Sequence, residues 1–238
     1  DDDTKKILDE VIFLLVPCFN PDGQIMVTDY YYKYLGTEYE GGRLPWLYHN
    51  YVGHDDNRDA FMFNLVESQH FAKFVYHEWY PQAYIDFHHM GSYGARYYIP
   101  PFHDMLNENL DPVIWREHML YGAHMAVMLE QEGKTGIETG QPYDGWWMAA
   151  FNYVTNWHNI VGMLTESASA KIATPLYIHH HQLQPGRRET RPAYAPEMNF
   201  PHPWPGGWWH LRDIVEQQKI SAWATLDVAA RWKEKLLW

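Results

Sequence analysis

The stretch IDFHHMGSYG, Ile85 to Gly94, sets two histidines against an apolar run that otherwise reads as a buried strand. An imidazole at such a place can ligate a metal, but a metal centre needs further ligands. Other polar groups fall at comparable positions. Asn57 and Arg58 lie in the loop HDDNRD, and Glu166 sits at the end of the apolar run of MLTESAS. In α/β sheets the strand ends and the loops beyond them carry the chemistry. Taken singly, each group also has a bland reading. His88 serves as a hydrogen-bonded structural residue, Glu166 as a cap for the segment after TESAS, and Arg58 as a loop partner of Asp55, Asp56 or Asp59. Their order along the chain is what sets them apart.

The elements that must position these groups are legible in outline. Val11 to Val16 is a continuous β-branched and apolar run ended by Pro17, the pattern of a strand buried on both faces, and Asn20 to Gly23 reads as a turn. Glu40 to Asp59 reads as a long irregular loop, and Glu67 to Tyr80 as a helix that Pro81 separates from a strand over Ala83 to His88. A helix begins at Asp111 as N-cap with Pro112 in its first turn and stops near Gly133. Met148 to Asn159 predicts a helix and Ile160 to Thr165 a strand. The Pro- and Trp-rich segment 185 to 209 predicts a wrapped loop, and Leu211 to Leu236 a closing helix. Helices alternating with apolar strands predict an α/β fold with a central mixed, largely parallel sheet flanked by helices.

Composition limits the partners. With 238 residues, 46% of them hydrophobic, the chain can bury the core of one domain spanning residues 1–238. A formal charge of −12 argues against nucleic acid or an anionic membrane and for a small or peptidic partner. The single cysteine, Cys18, excludes an internal disulfide framework and a Cys-rich zinc cluster. No apolar run is long enough to span a bilayer. Neither H-E-x-x-H nor G-x-S-x-G occurs, so thermolysin-like and serine-hydrolase readings lack their core residues.

NPDG, then D-x-N-R, then a strand-end His, then a Tyr, then a strand-end Glu is an order that resembles the zinc metallocarboxypeptidases of the carboxypeptidase A type. ILDEVIFLLVPCFNPDG looks like that family's helix end, buried strand and NPDG turn, and HDDNRD looks like its D-x-N-R loop. IDFHHMGS is similar to the strand bearing its third zinc ligand, and with PWPGGWW it resembles a bacterial branch; MLTESAS fits the strand of its catalytic glutamate. The resemblance covers most of Lys5 to Leu236.

The resemblance implies a carboxypeptidase-like (zinc exopeptidase) fold and a zinc-dependent hydrolase of C-terminal peptide or related amide bonds. A zinc held by two His and one carboxylate keeps an open position for water. By resemblance His88 is the metal ligand, and Glu166 is the general acid/base. Asn57 and Arg58 match the pair that binds the free C-terminal carboxylate of the substrate, Tyr143 in QPYDGWW matches the mobile tyrosine, and Asp55 matches the carboxylate behind the first zinc-binding His. Arg43 in GGRLPW is the match to the arginine facing the developing oxyanion, although the family's loop carries more than one arginine. GWWMAAF falls where the family lines its side-chain pocket and suggests an apolar or aromatic preference; the other reading is that these aromatics are core. His89 competes with His88, and strand alternation lets only one face the site. His179 to His181 read as surface histidines, and His210 to Asp213 has ligand-like spacing at the wrong end of the chain.

One part of the family's pattern is missing. Its first two zinc ligands come from an H-x-x-E motif upstream of the strand before NPDG, and no His in residues 1–238 is followed three places later by Glu. The chain opens on DDDTKK, so the expectation is an N-terminally truncated catalytic domain with the other two ligands upstream of Asp1. The alternative is a metal-free relative that binds a carboxylated peptide without cleaving it. Family resemblance also implies export, to the periplasm or outside the cell.

Overall fold

The computed structural model describes residues 2–47, 49–103, 106–143, 145–185 and 194–236. In chain order it contains α1 (Asp2–Leu8), α2 (Pro21–Tyr34), a 3-10 turn at Asp56–Arg58, and α3 (Val66–Lys73), which continues as a π turn over Phe74–Trp79. Then come β1 (Ala83–Met90), β2 (Tyr97–Tyr98), α4 (Pro112–Gln131), β3 (Ile137–Glu138), α5 (Phe151–Val154) with a 3-10 turn at Thr155–His158, and β4 (Val161–Ala168). The chain closes with β5 (Leu176–His179), β6 (Gly206–Trp209) and α6 (Leu211–Leu236).

The architecture is mixed α/β. A four-stranded sheet runs in the order β1-β4-β2-β3, with β1 parallel to β4, β2 parallel to β3, and β2 antiparallel to β4. Because side chains alternate across a strand, the register separates two faces. Val161 and Met163 of β4, with Tyr97 and Ile99, join Tyr121, Met125 and Leu129 of α4 and Ala224 and Val228 of α6 in the largest buried cluster. The other face takes α3 and α5, where Phe71, Val75, Phe151 and Ile160 are buried together and Tyr84 packs against them.

Gly162 makes the second face possible. A Cβ there would lie 1.9 Å from the Asn152 carbonyl oxygen and 2.0 Å from the Thr155 hydroxyl, so only glycine lets the turn of α5 press against β4. Arg96 is a second unusual residue of this frame. It has no exposed surface, packs against the rings of both Trp204 and Trp209 at 4.6 and 4.9 Å, and donates to the carbonyls of Ser92 and Gly94. Burial pulls its guanidinium down to about 10, and the two aromatic faces supply part of the stabilisation that water would otherwise give.

Several elements form as their signals predict. Asp111 caps α4 by accepting from the Val113 amide at 2.9 Å, with Pro112 in the first turn, and α6 spans the expected residues. Other elements depart from expectation. Residues 11–16 form no strand and pair with none among the described residues, and Ile12, Phe13, Leu15 and Val16 are exposed; a run that reads as a buried strand becomes one only where a ladder receives it. Asn20 does not make a turn but caps α2, its side chain accepting from the Gly23 amide at 2.8 Å. Within 185–209, residues 186–193 lie outside the described residues, and the end of the segment is strand β6, antiparallel to β5. The helix expected over Met148 to Asn159 is confined to α5 and its 3-10 extension. No helix of the described residues is long and apolar enough to cross a membrane.

Candidate active site

The site is assembled on the second sheet face by strand register. His88 is the register partner of Glu166, Glu166 of Tyr98, and Tyr98 of Glu138. One row across all four strands therefore carries an imidazole, two carboxyls and a phenol on a single face. His89 belongs to the opposite face with Ser167 and Tyr97, and its Nδ1 contacts the Ser169 hydroxyl. Alternation thus separates the two histidines as expected, with His88 beside Glu166.

His88 Nε2 lies 2.8 Å from Asp86 Oδ2 and 3.0 Å from Asn57 Nδ2. Asp86 precedes His88 by two residues, so it shares the face and reaches the same ring edge. Burial alone would lower the imidazole, but Asp86, followed by Glu166 and Asp55, outweighs it and holds His88 above its ordinary value.

Glu166 is half-buried and its Oε2 has no hydrogen-bond partner among the described residues. Burial raises its carboxyl above the usual range; His88, a hydrogen bond from Tyr143 and the Arg58 charge pull the other way without cancelling it. A raised, partly desolvated carboxyl beside an imidazole is suited to accepting and returning a proton.

The loop residues are placed by the 3-10 turn. Asp55 caps it, accepting from the Asn57 amide at 2.9 Å. The Asn57 side chain bridges two elements, since Oδ1 accepts from the Phe151 amide at 3.1 Å while Nδ2 faces His88. The Arg58 guanidinium donates to the Asn57 carbonyl at 2.6 Å, lies 3.9 Å from Asp55 and stacks over Trp147 at 4.7 Å. Its side chain stays 45% exposed, which leaves donors free for an incoming anion.

Asn57, Arg58, His88, Tyr143, Glu166 and Asp55 are thereby brought into one neighbourhood. Arg43 is exposed, its backbone carbonyl accepts from the Tyr30 hydroxyl, and among the described residues its guanidinium has no hydrogen bond or ion pair with this group. GWWMAAF divides between the two readings of it. Trp146, Trp147 and Met148 are exposed, while Ala149, Ala150 and Phe151 are buried, and Asp144 lies outside the described residues. His210 pairs with Asp213 through both its amide and its ring, which accounts for their spacing as a helix cap. The rings of His179 and His181 stack on the exposed β5 edge.

Asp86 and Glu138 are the members of this face that motif order does not reveal. Alternation along β1 is the signal that exposes Asp86, whereas Glu138 becomes visible only once β3 is known to join the sheet. Among the described residues no group of three or more His, Cys, Asp or Glu could hold a metal ion. His88 with Asp86 offers one imidazole and its orienting carboxylate, short of the three protein ligands of a catalytic zinc. No protein-family model matches the chain, and neither a curated protein nor a solved structure does.

Proposed function

We propose that this chain carries the substrate clamp and the proton-transfer residue of a zinc-dependent carboxypeptidase, acting on C-terminal peptide or related amide bonds. The observation that supports this reading is the convergence on one sheet face of His88, Glu166, Asn57, Arg58 and Tyr143 from four separate stretches of sequence. A zinc site of this kind takes two protein ligands besides His88, which this reading assigns to the family's H-x-x-E motif.

The chain's own groups have distinct tasks in this proposal. Arg58 and Asn57 grip the terminal carboxylate of the substrate, Arg58 through charge-assisted hydrogen bonds. The Tyr143 phenol exchanges its bond with Glu166 for one to the substrate. Glu166 takes the proton of the attacking water and hands it to the leaving amine. Asp86 keeps the His88 ring in one orientation. An exported enzyme acting on peptides or cell-wall amides fits this assignment.

A second reading rests on the same clamp and on the incomplete metal-ligand set: a module that binds carboxylated peptides without cleaving them. Turnover of acyl-dipeptides by a chain that also carries those two ligands, supplied with zinc, separates the two. Release of the C-terminal amino acid, abolished by Glu166→Gln, supports the hydrolase; tight binding of the intact peptide with no release supports the binder.

A further inference from the structure

Trp147 is exposed, yet its place beside the clamp is set by the backbone. Its neighbour Trp146 donates through the indole Nε1 to the Leu106 carbonyl at 2.9 Å. On its other side the Ala149 carbonyl accepts from the Ala60 amide at 3.2 Å, and the Phe151 amide donates to Asn57 Oδ1 at 3.1 Å. Ala149, Ala150 and Phe151 are buried, so packing fixes this end of the segment as well. Asn57 and Ala60 bracket Arg58 in the sequence. Two ties thus hold residues 149–151 against the turn that carries the clamp, and they bring the indole to the guanidinium, whose Cζ lies 4.7 Å from the ring centroid. The Arg58 side chain is 45% exposed, and a long side chain left that open would ordinarily sample several rotamers. Within its own turn it meets the Asn57 carbonyl and, at 3.9 Å, Asp55. Trp147 supplies a contact from outside that turn.

We infer that Trp147 is a positioning residue for the Arg58 clamp: the indole face holds the guanidinium in the pose that receives a carboxylate, so part of the ordering cost of binding is met before the ligand arrives. The role rests on the carboxypeptidase reading and deepens it. A cation is drawn to the quadrupole of an aromatic ring without a hydrogen bond, so the contact orients the guanidinium and consumes none of its donors. The N–H groups that grip the two carboxylate oxygens stay available. An Asp or Glu in place of Trp147 would compete with the ligand for those donors, and an aliphatic side chain would offer the charge no attraction. The exposed part of GWWMAAF thereby has a task at the carboxylate end of the substrate, apart from any side-chain preference.

Equilibrium binding of acetyl-dialanine and of its C-terminal amide to residues 1–238, without zinc, reads the clamp apart from hydrolysis. The parent should bind the acid more tightly than the amide. Trp147→Leu should weaken binding of the acid about threefold to fivefold, the scale of a solvent-exposed cation–π contact, and leave the amide unchanged. Trp147→Phe, which keeps an aromatic face, should retain most of the parental affinity. In the Arg58→Ala background the Trp147→Leu change should have no effect, because no guanidinium is left to hold. An equal loss in both backgrounds, or for acid and amide alike, makes Trp147 a structural or directly contacting residue and overturns the role. Unchanged or tighter binding of the acid by Trp147→Leu overturns it as well, while a preference for the acid that depends on Arg58 leaves the clamp standing. An acid bound no more tightly than its amide by the parent removes the clamp, and the positioning role with it.

Discussion

His88 and Glu166 are register partners in adjacent parallel strands, so backbone pairing sets the spacing between the imidazole and the carboxyl. Residues fixed in this way are held more rigidly than residues on loops. Asn57 is tied to the same frame through Phe151 and His88. Arg58 is held by its own backbone and the Trp147 face, and it retains the freedom to turn toward a ligand.

Glu166→Gln should affect turnover and stability in opposite directions. Removing the base lowers kcat on the order of 100-fold or more. Burial raises the Glu166 carboxyl, so its neutral form is favoured in the folded state. Its contribution to stability is present below the ordinary carboxylate range and is lost as pH climbs through the raised value. The permanently neutral glutamine therefore raises Tm at neutral pH, while the two proteins converge in acid. Calorimetry across pH checks the sign. In the parent, the acid limb of kcat/KM lies above the ordinary carboxylate range.

Arg58→Ala should discriminate between ligands by their ends. Free-acid peptides lose kcat/KM on the order of 100-fold, whereas C-terminally amidated peptides change little, because only the acid has a charge to clamp. Equal losses on both would make Arg58 a loop-stabilising residue.

Asp86→Asn tests how the His88 ring is oriented. Replacing the acceptor carboxylate by an amide removes the strongest influence holding the imidazole above its ordinary value, so His88 should titrate lower by NMR. An unchanged His88 titration would show that Asp86 does not orient the ring.

Residues 1–238, expressed alone and dialysed, should retain less than one zinc per chain, because one imidazole and one orienting carboxylate do not hold the metal against chelators. Metal analysis that finds a full complement, lost in His88→Ala, would show that other side chains here complete the centre.

The parts of the fold legible in the sequence are those governed by local signals. Asp111 with Pro112 fixes the start of α4, and the apolar runs at Ala83 and Ile160 announce β1 and β4. Residues 11–16 show where local pattern stops being enough, since apolarity alone supplies no strand partner. Asn20 shows a real ambiguity: an Asn-Pro pair opens a turn or caps a helix, and the Gly23 amide donating to the Asn20 side chain decides it. The site was legible residue by residue at Asn57, Arg58, His88, Tyr143 and Glu166. Glu138 and Asp86 emerge only from strand register, which long-range pairings determine.

Gly162 ties that packing to the clamp. Gly162→Ala would drive a methyl into the Asn152 carbonyl, costing on the order of 2 kcal/mol or more by overpacking. It would also displace Phe151 from Asn57. Chemical denaturation measures the first effect and weakened binding of a free-acid peptide the second.

The β1–β4 ladder also shapes how the molecule reaches its native state. Every residue of β2, α4, β3 and α5 lies between the two strands in the chain, so their pairing closes a long loop before any of its contacts can compensate the lost entropy. The helices α4 and α6 can gain structure early from local contacts, but the His88–Glu166 pair cannot exist until the distant strands zip in the correct register. A slip of one residue would set His88 opposite Ser167 and turn its partner to the other face. Refolding kinetics followed at the site should therefore lag behind the recovery of helical signal, and the His88–Glu166 pair should be among the last features the chain acquires.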